Sequence, residues 1–153
     1  GIPLPSNRDD QMPGIAMLTK AEQKALPNPG KQALKTTGAT VVSQVDFLNH
    51  IKTAIPSYYD HQSLIIFNGW FEEVMPKISE RVEPIAILRL DGDLYHSTWV
   101  CLQYLFPMVI KGGCVIIDDW TLSGCQAACK EYFEMIGYEP DYKYLDGTAY
   151  FFK

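Results

Sequence analysis

The chain has 153 residues, 47% of them hydrophobic, which suits one globular domain with a core of its own. A formal net charge of −5 and a pI near 5.1 exclude the broad basic face that nonspecific nucleic-acid binding needs. No apolar run approaches the ~20 residues that cross a bilayer and no signal-peptide pattern is read, so a cytoplasmic protein without membrane or nucleic-acid partners is expected.

Residues 1–40 carry little pattern. Gly1-Ile-Pro-Leu-Pro5 and Pro27-Asn-Pro-Gly30 are loop chemistry, with a capping box at Thr19-Lys-Ala-Glu22 that could open a short helix. This stretch is expected to be a lid or loop, with an α/β core over residues 41–153. Ser43, with Asp46 three residues later, marks a helix start; Val45, Leu48, Ile51 and Ile55 share a face, and Pro56 closes it. Ser63–Phe67 reads as a buried strand, followed by Asn68-Gly69 and a helical turn around Pro76.

Ile85–Leu90 is predicted as the second strand. A helix follows over Ser97–Val109, its apolar side formed by Trp99, Leu102, Leu105, Phe106 and Val109, with Pro107 ending or bending it. Lys111-Gly112-Gly113 is expected to turn into a third strand, Cys114–Ile117. Cys125, Ala128, Cys129, Tyr132, Phe133 and Ile136 then recur at helical spacing, and Gly137 falls where a C-terminal glycine belongs. An Asp146-Gly147 hairpin joins Tyr142–Leu145 to Thr148–Phe152. Strand and helix alternate and a hairpin closes the chain, the pattern of an α/β sheet with a mixed edge. Cys101, Cys114, Cys125 and Cys129 lie in apolar stretches without C-x-x-C spacing, as small buried hydrophobes of a reducing compartment do.

Two of these strands end in carboxylates: Asp91 and Asp93 after the first, Asp118 and Asp119 after the second. Short, continuously apolar runs are what strands covered on both faces look like, and open parallel sheets bind ligands beyond the carboxyl ends of their strands. Neighbouring strands lie ~4.8 Å apart, so such ends can share a hard cation such as magnesium, which takes oxygen ligands. The plainer alternative is that these aspartates cap the following helices or sit solvated in loops. It fits Asp93 best, since that residue precedes the helix near Ser97.

Several motifs in order carry a family resemblance. Phe67-Asn-Gly-Trp-Phe71, Met75-Pro76, Leu88-Arg-Leu-Asp-Gly-Asp-Leu-Tyr95 with Ser97-Thr98, Gly113 through Ile116-Ile-Asp-Asp-Trp120, and Gly124-Cys125 resemble the macrocin O-methyltransferase family, typified by TylF and MycF. The resemblance implies a Rossmann-like class I methyltransferase sheet, incomplete at the N-terminus, with a C-terminal antiparallel hairpin. It implies methyl transfer from S-adenosylmethionine, with a divalent metal such as Mg2+, to a hydroxyl of a sugar or natural product. On the matching positions, Asp91, Asp118 and Asp119 would be metal ligands. Gly69, Trp70 and Phe71 would receive the adenine ring, although a tryptophan there is otherwise more often core. Asp91 is the first candidate for the proton acceptor and His96 the second. His96 stands where the family commonly has Glu, and a helix-start histidine is more often a solvated neighbour of the cap.

The family's first strand, its glycine-rich loop and the acidic residue ending its second strand find no counterpart here. The chain is therefore expected to be the C-terminal part of a methyltransferase catalytic domain, inactive alone, with a small-molecule hydroxyl substrate and a homo-oligomer as a further option. Two other functions compete. Asp91-Gly92-Asp93 is also the D-x-D pattern of nucleotide-sugar glycosyltransferases, though that leaves Asp118 and Asp119 without a task. A non-catalytic module that packs on a partner is the other.

Overall fold

The computed structural model describes residues 15–17, 34–36, 43–56 and 64–153. The expected helix at Thr19–Glu22 lies outside them. Within the segment expected to be loop, β1 (Ile15–Met17) and β2 (Leu34–Thr36) pair as an antiparallel ribbon. Helix α1 (Gln44–Ala54) begins as its sequence dictates, with Ser43 Oγ accepting from the Asp46 amide at 3.1 Å.

The main sheet has four strands in the order β3-β4-β6-β5, formed by β3 (Ile85–Leu90), β4 (Val109–Ile117), β5 (Lys143–Leu145) and β6 (Thr148–Phe152). β3 and β4 are parallel, and β6 runs antiparallel to both β4 and β5. The hairpin therefore extends the sheet beside β4, as its turn residues predict. Asp146 and Gly147 both take positive φ, 47° and 86°, the hand that a two-residue hairpin turn needs.

Three expectations are corrected. Leu64–Phe67 forms no strand: the segment joins no sheet, and Ile65 is 74% exposed. A strand exists by pairing, and among the described residues none lies beside it. Second, the helix after Asp93 is α3, Tyr95–Leu105, and a single 3-10 turn at Phe106–Met108 ends it at Pro107. Val109 consequently opens β4 instead of closing the helix, and Lys111-Gly112-Gly113 is a bulge inside that strand. Ile85 pairs Val109 while Ile87 already pairs Cys114. Gly112 has φ +80°, and a Cβ on Gly113 would come within 2.8 Å of Val109 Cγ1, so the bulge needs glycine at both positions. Third, β3 and β4 are not covered on both faces by the described residues. Leu88, Leu90, Val115 and Ile117 are buried, whereas the alternate residue Ile87 is 67% exposed.

The covered face packs against α2 (Phe71–Ser79), α3 and α4 (Ser123–Met135), whose buried side chains include Val74, Met75, Val100, Leu102, Ala128 and Phe133. Pro76 is tolerated inside α2. Helix α4 stops by the predicted device: Gly137 takes φ +64°, its amide bonds Glu134 O at 3.2 Å, and the Tyr138 amide reaches Phe133 O at 2.9 Å. The four cysteines are free thiols, and Cys101, Cys125 and Cys129 are buried. Burial, with Glu72 adding to it, pushes the Cys101 thiol up to about 12. No helix among the described residues is long and apolar enough to cross a membrane.

Candidate functional site

The parallel pairing of β3 and β4 brings their carboxyl ends side by side, and the Asp118 amide donates to Leu90 O at 2.9 Å just past the last strand pair. Along a strand, residues two apart face the same way, so Arg89 lies beside Asp91. Its guanidinium bonds Asp91 Oδ2 at 2.5 Å and Asp118 Oδ2 at 2.8 Å. Both carboxylates are thus held by one cation.

Asp93 and Asp119 meet differently. Asp93 sits in the left-handed region at φ 58°, which aspartate tolerates better than most residues. Its amide donates to Asp119 Oδ2 at 3.0 Å. One carboxylate oxygen from each of Asp91, Asp93 and Asp119 lies within 4.8 Å of the others. Asp118 is outside this trio, engaged with Arg89. Burial pushes the Asp119 carboxyl up to about 7; hydrogen bonding and repulsion from Asp93, and repulsion from Asp91, add to the rise, against the opposing Asp93 amide.

The remaining predicted residues surround this trio. His96, at the start of α3, places Nε2 2.9 Å from Glu72 Oε1 of α2, with both side chains about half exposed. Phe71 packs on the carboxylate loop: a Cβ on Gly92 would come within 3.3 Å of its Cε2 atom. Trp70 is the residue before α2 and is 45% exposed, and Gly69 precedes it at a bend with φ +154°. Past the trio, Trp120 stacks obliquely on Tyr142 with ring centroids 4.6 Å apart, and its carbonyl accepts from Gln126 Nε2. The trio's third member, Asp93, is among the four strand-end carboxylates read from the sequence, with helix capping as its plainer reading, but it is not among the ligands that the resemblance implies. The signal that distinguishes it is Asp-Gly-Asp immediately before a helix, a setting for one left-handed aspartate.

Residues 23–153 match the model of the macrocin-O-methyltransferase (TylF) family. The chain belongs to that family. Its curated relatives include the 8-demethyl-8-(2,3-dimethoxy-alpha-L-rhamnosyl)-tetracenomycin-C 4'-O-methyltransferase of Streptomyces olivaceus, 38% identical over 85 residues, which are 56% of this chain and 32% of that protein. Mycinamicin III 3''-O-methyltransferase of Micromonospora griseorubida is 33% identical, over 56% of this chain and 33% of its own length. Demethyldecarbamoylnovobiocin O-methyltransferase of Streptomyces niveus is 45% identical over 65 residues, 42% of this chain and 24% of that enzyme. The matches thus span about a third or less of these relatives.

Among solved structures, the O-methyltransferase NovP superposes with a TM-score of 0.61 at 28% identity, covering 73% of this chain and 45% of NovP. The calicheamicin methyltransferase CalS11 gives 0.60 at 22% identity, covering 78% of this chain and 51% of CalS11, a likeness of fold. The sheet is accordingly the open, mixed α/β sheet of this methyltransferase class, present in part. The family is one of O-methyltransferases by its description. Family membership also sets aside the glycosyltransferase reading of Asp91-Gly92-Asp93.

Proposed function

We propose that this chain carries the acceptor-activating end of an S-adenosylmethionine-dependent O-methyltransferase whose substrate is a sugar hydroxyl on a natural product. The observation that carries the proposal is the convergence of Asp91, Asp93 and Asp119 at the joined ends of β3 and β4. The relatives named for tetracenomycin, novobiocin and mycinamicin compounds support the substrate class.

The donor set suits a hard divalent cation such as Mg2+: oxygen ligands, close enough to share an ion, with the charge on Asp119 opposed by its neighbours until a cation arrives. Asp91 and Asp119 belong both to this trio and to the set expected from the resemblance. Asp93 is proposed as the third ligand, and Asp118, a ligand expected from the resemblance, stays with Arg89 instead. When bound, the cation would supply Lewis-acid stabilisation of a deprotonated hydroxyl. The chain's own residues do the rest. Arg89 fixes the Asp91 carboxylate at the strand end, and Asp91 stands beside the reacting oxygen as its proton acceptor. His96 is the second candidate, oriented by Glu72. An acid–base partner of this kind contributes ~10²–10⁴-fold.

Donor binding calls on other groups. Phe71, with Gly69 and Trp70 before it, is proposed to meet the adenine ring where α2 abuts the carboxylate loop. A glycine-rich strand-to-helix turn, which brings backbone close to such a cofactor, does not occur among the described residues. Calorimetry with Mn2+ and with S-adenosylmethionine tests both halves. The 153-residue chain is expected to bind the metal, losing this in Asp119→Asn, and to bind the donor weakly. Metal binding that survives Asp119→Asn unchanged refutes the site, and tight donor binding refutes the expected division.

A further inference from the structure

Asp118 and Asp119 are adjacent in the chain, yet their side chains go different ways. Asp119 accepts from the Asp93 amide at 3.0 Å and lies with the trio. Asp118 turns to Arg89 Nη2 at 2.8 Å, while Nη1 of the same guanidinium holds Asp91 Oδ2. The strand register fixes this division. Arg89 pairs with Ile116 across β3 and β4, and the Asp118 amide bonds Leu90 O, so one planar fork reaches a carboxylate past the end of each strand. The three side chains are between 37% and 51% exposed, so ions in solution reach the same carboxylates that the guanidinium holds.

Arg89 therefore does more than fix Asp91. It ties up one of the four strand-end carboxylates with a charge that persists across the working pH range. Magnesium keeps much of its water and takes few carboxylates, whereas calcium gathers about six to eight oxygens and binds more tightly as ligand charge accumulates. We propose that Arg89 determines the ion selectivity of the carboxylate site. By withholding Asp118 it holds the site to Asp91, Asp93 and Asp119, a set that suits magnesium and leaves coordination positions for water and the acceptor hydroxyl. The inference rests on the cation site proposed above and concerns a residue outside its ligand set.

Calorimetric titrations of the whole chain with Mg2+ and with Ca2+ test it in Arg89→Met, which keeps an aliphatic stem and removes the charge. This variant should bind Ca2+ about tenfold tighter than the parent and gain only about threefold for Mg2+. Adding Asp118→Asn should cancel the gain, although Asp118→Asn alone changes parent binding little. Arg89→Lys, whose compact ammonium lacks the planar fork that bridges two carboxylates, should fall between Arg89→Met and the parent. Because it keeps the charge, it reads the same effect in a protein less prone to a folding defect. Weaker binding of both ions in Arg89→Met overturns the proposal. So do equal gains for the two ions, or a gain that survives Asp118→Asn. Asp119→Asn separates the two layers. If it abolishes Mg2+ binding while Arg89→Met brings no gain, the cation site stands and the role of Arg89 falls. If it leaves Mg2+ binding intact, both fall.

Discussion

Two regions of this molecule carry the same kind of apolar pattern and treat it in opposite ways. From Phe71 to the C-terminus the pattern is spent on a core: Leu102, Val115, Ile117, Ala149 and Phe151 are all 0% exposed. In α1 and Leu64–Phe67 it is not. Helix α1 buries no residue, Val45 is 66% exposed, and Ile65 is 74% exposed. Periodicity determines which side chains share a face, but a face contributes to stability only where another element covers it. The proposed site lies on the packed side of this contrast. The carboxylate trio stands at the end of the well-packed region, where two strands hold it in register, as a site built on rigid elements requires.

The largest expected effect comes from breaking the core. Phe151 meets the rings of Phe106, Phe133, Tyr138 and Tyr142. Phe151→Ala should cost about 3–5 kcal/mol in urea unfolding, as truncation of a buried aromatic does. Ile65→Ala should stay within about 0.5 kcal/mol, because little burial is lost. Similar costs for the two would dissolve the contrast between the regions.

A smaller effect tests the trio through pH. The Asp119 carboxyl is raised from 3.8 to about 7 in the folded chain, so between those values the folded state holds a proton that the unfolded state has released. Its stabilising contribution is complete below the unfolded value and disappears as pH rises through about 7. Without metal, Asp119→Asn should therefore raise Tm at pH 8 by about 2–4 °C, the shift that ~1 kcal/mol gives in a domain of this size once solvent screening of the half-exposed carboxyl is allowed for. At pH 4 the gain should vanish, and an equal gain at both pH values would deny that the Asp119 carboxyl is raised. The smallest effect belongs to α1. Ser43→Ala should cost about 1 kcal/mol of local helix stability, read as faster amide hydrogen exchange in α1 with global unfolding unchanged, since nothing in the core leans on that helix.

Much of the packed region was legible in the sequence because there local and tertiary preferences agree. Ile85–Leu90, Cys114–Ile117, the helix ending at Gly137 and the Asp146-Gly147 hairpin each combine a clear period with a turn residue that stops it. The segment Ser63–Phe67 shows the limit: a run of apolar residues names a strand only if a neighbour is there to bond it. Val109 was assigned to the wrong element because helical spacing continued past Pro107, and only the pairing with Ile85 reveals a strand beginning early with a bulge. At the site, the type and position of the carboxylates were readable, but their partners were not. Arg89 reaches Asp118 because two strands lie side by side, and Asp93 joins Asp119 because one residue turns left-handed. Both are facts of three dimensions.

The central claim is that Asp91, Asp93 and Asp119 form the cation site, and a calorimetric Mg2+ titration of four proteins tests it most directly. The parent should bind one ion, Asp119→Asn and Asp93→Asn should lose most of that affinity, and Asp118→Asn should keep most of it because Asp118 serves Arg89. Loss of binding in Asp118→Asn with binding intact in Asp93→Asn would contradict the account, and would mean that the ion draws Asp118 away from Arg89.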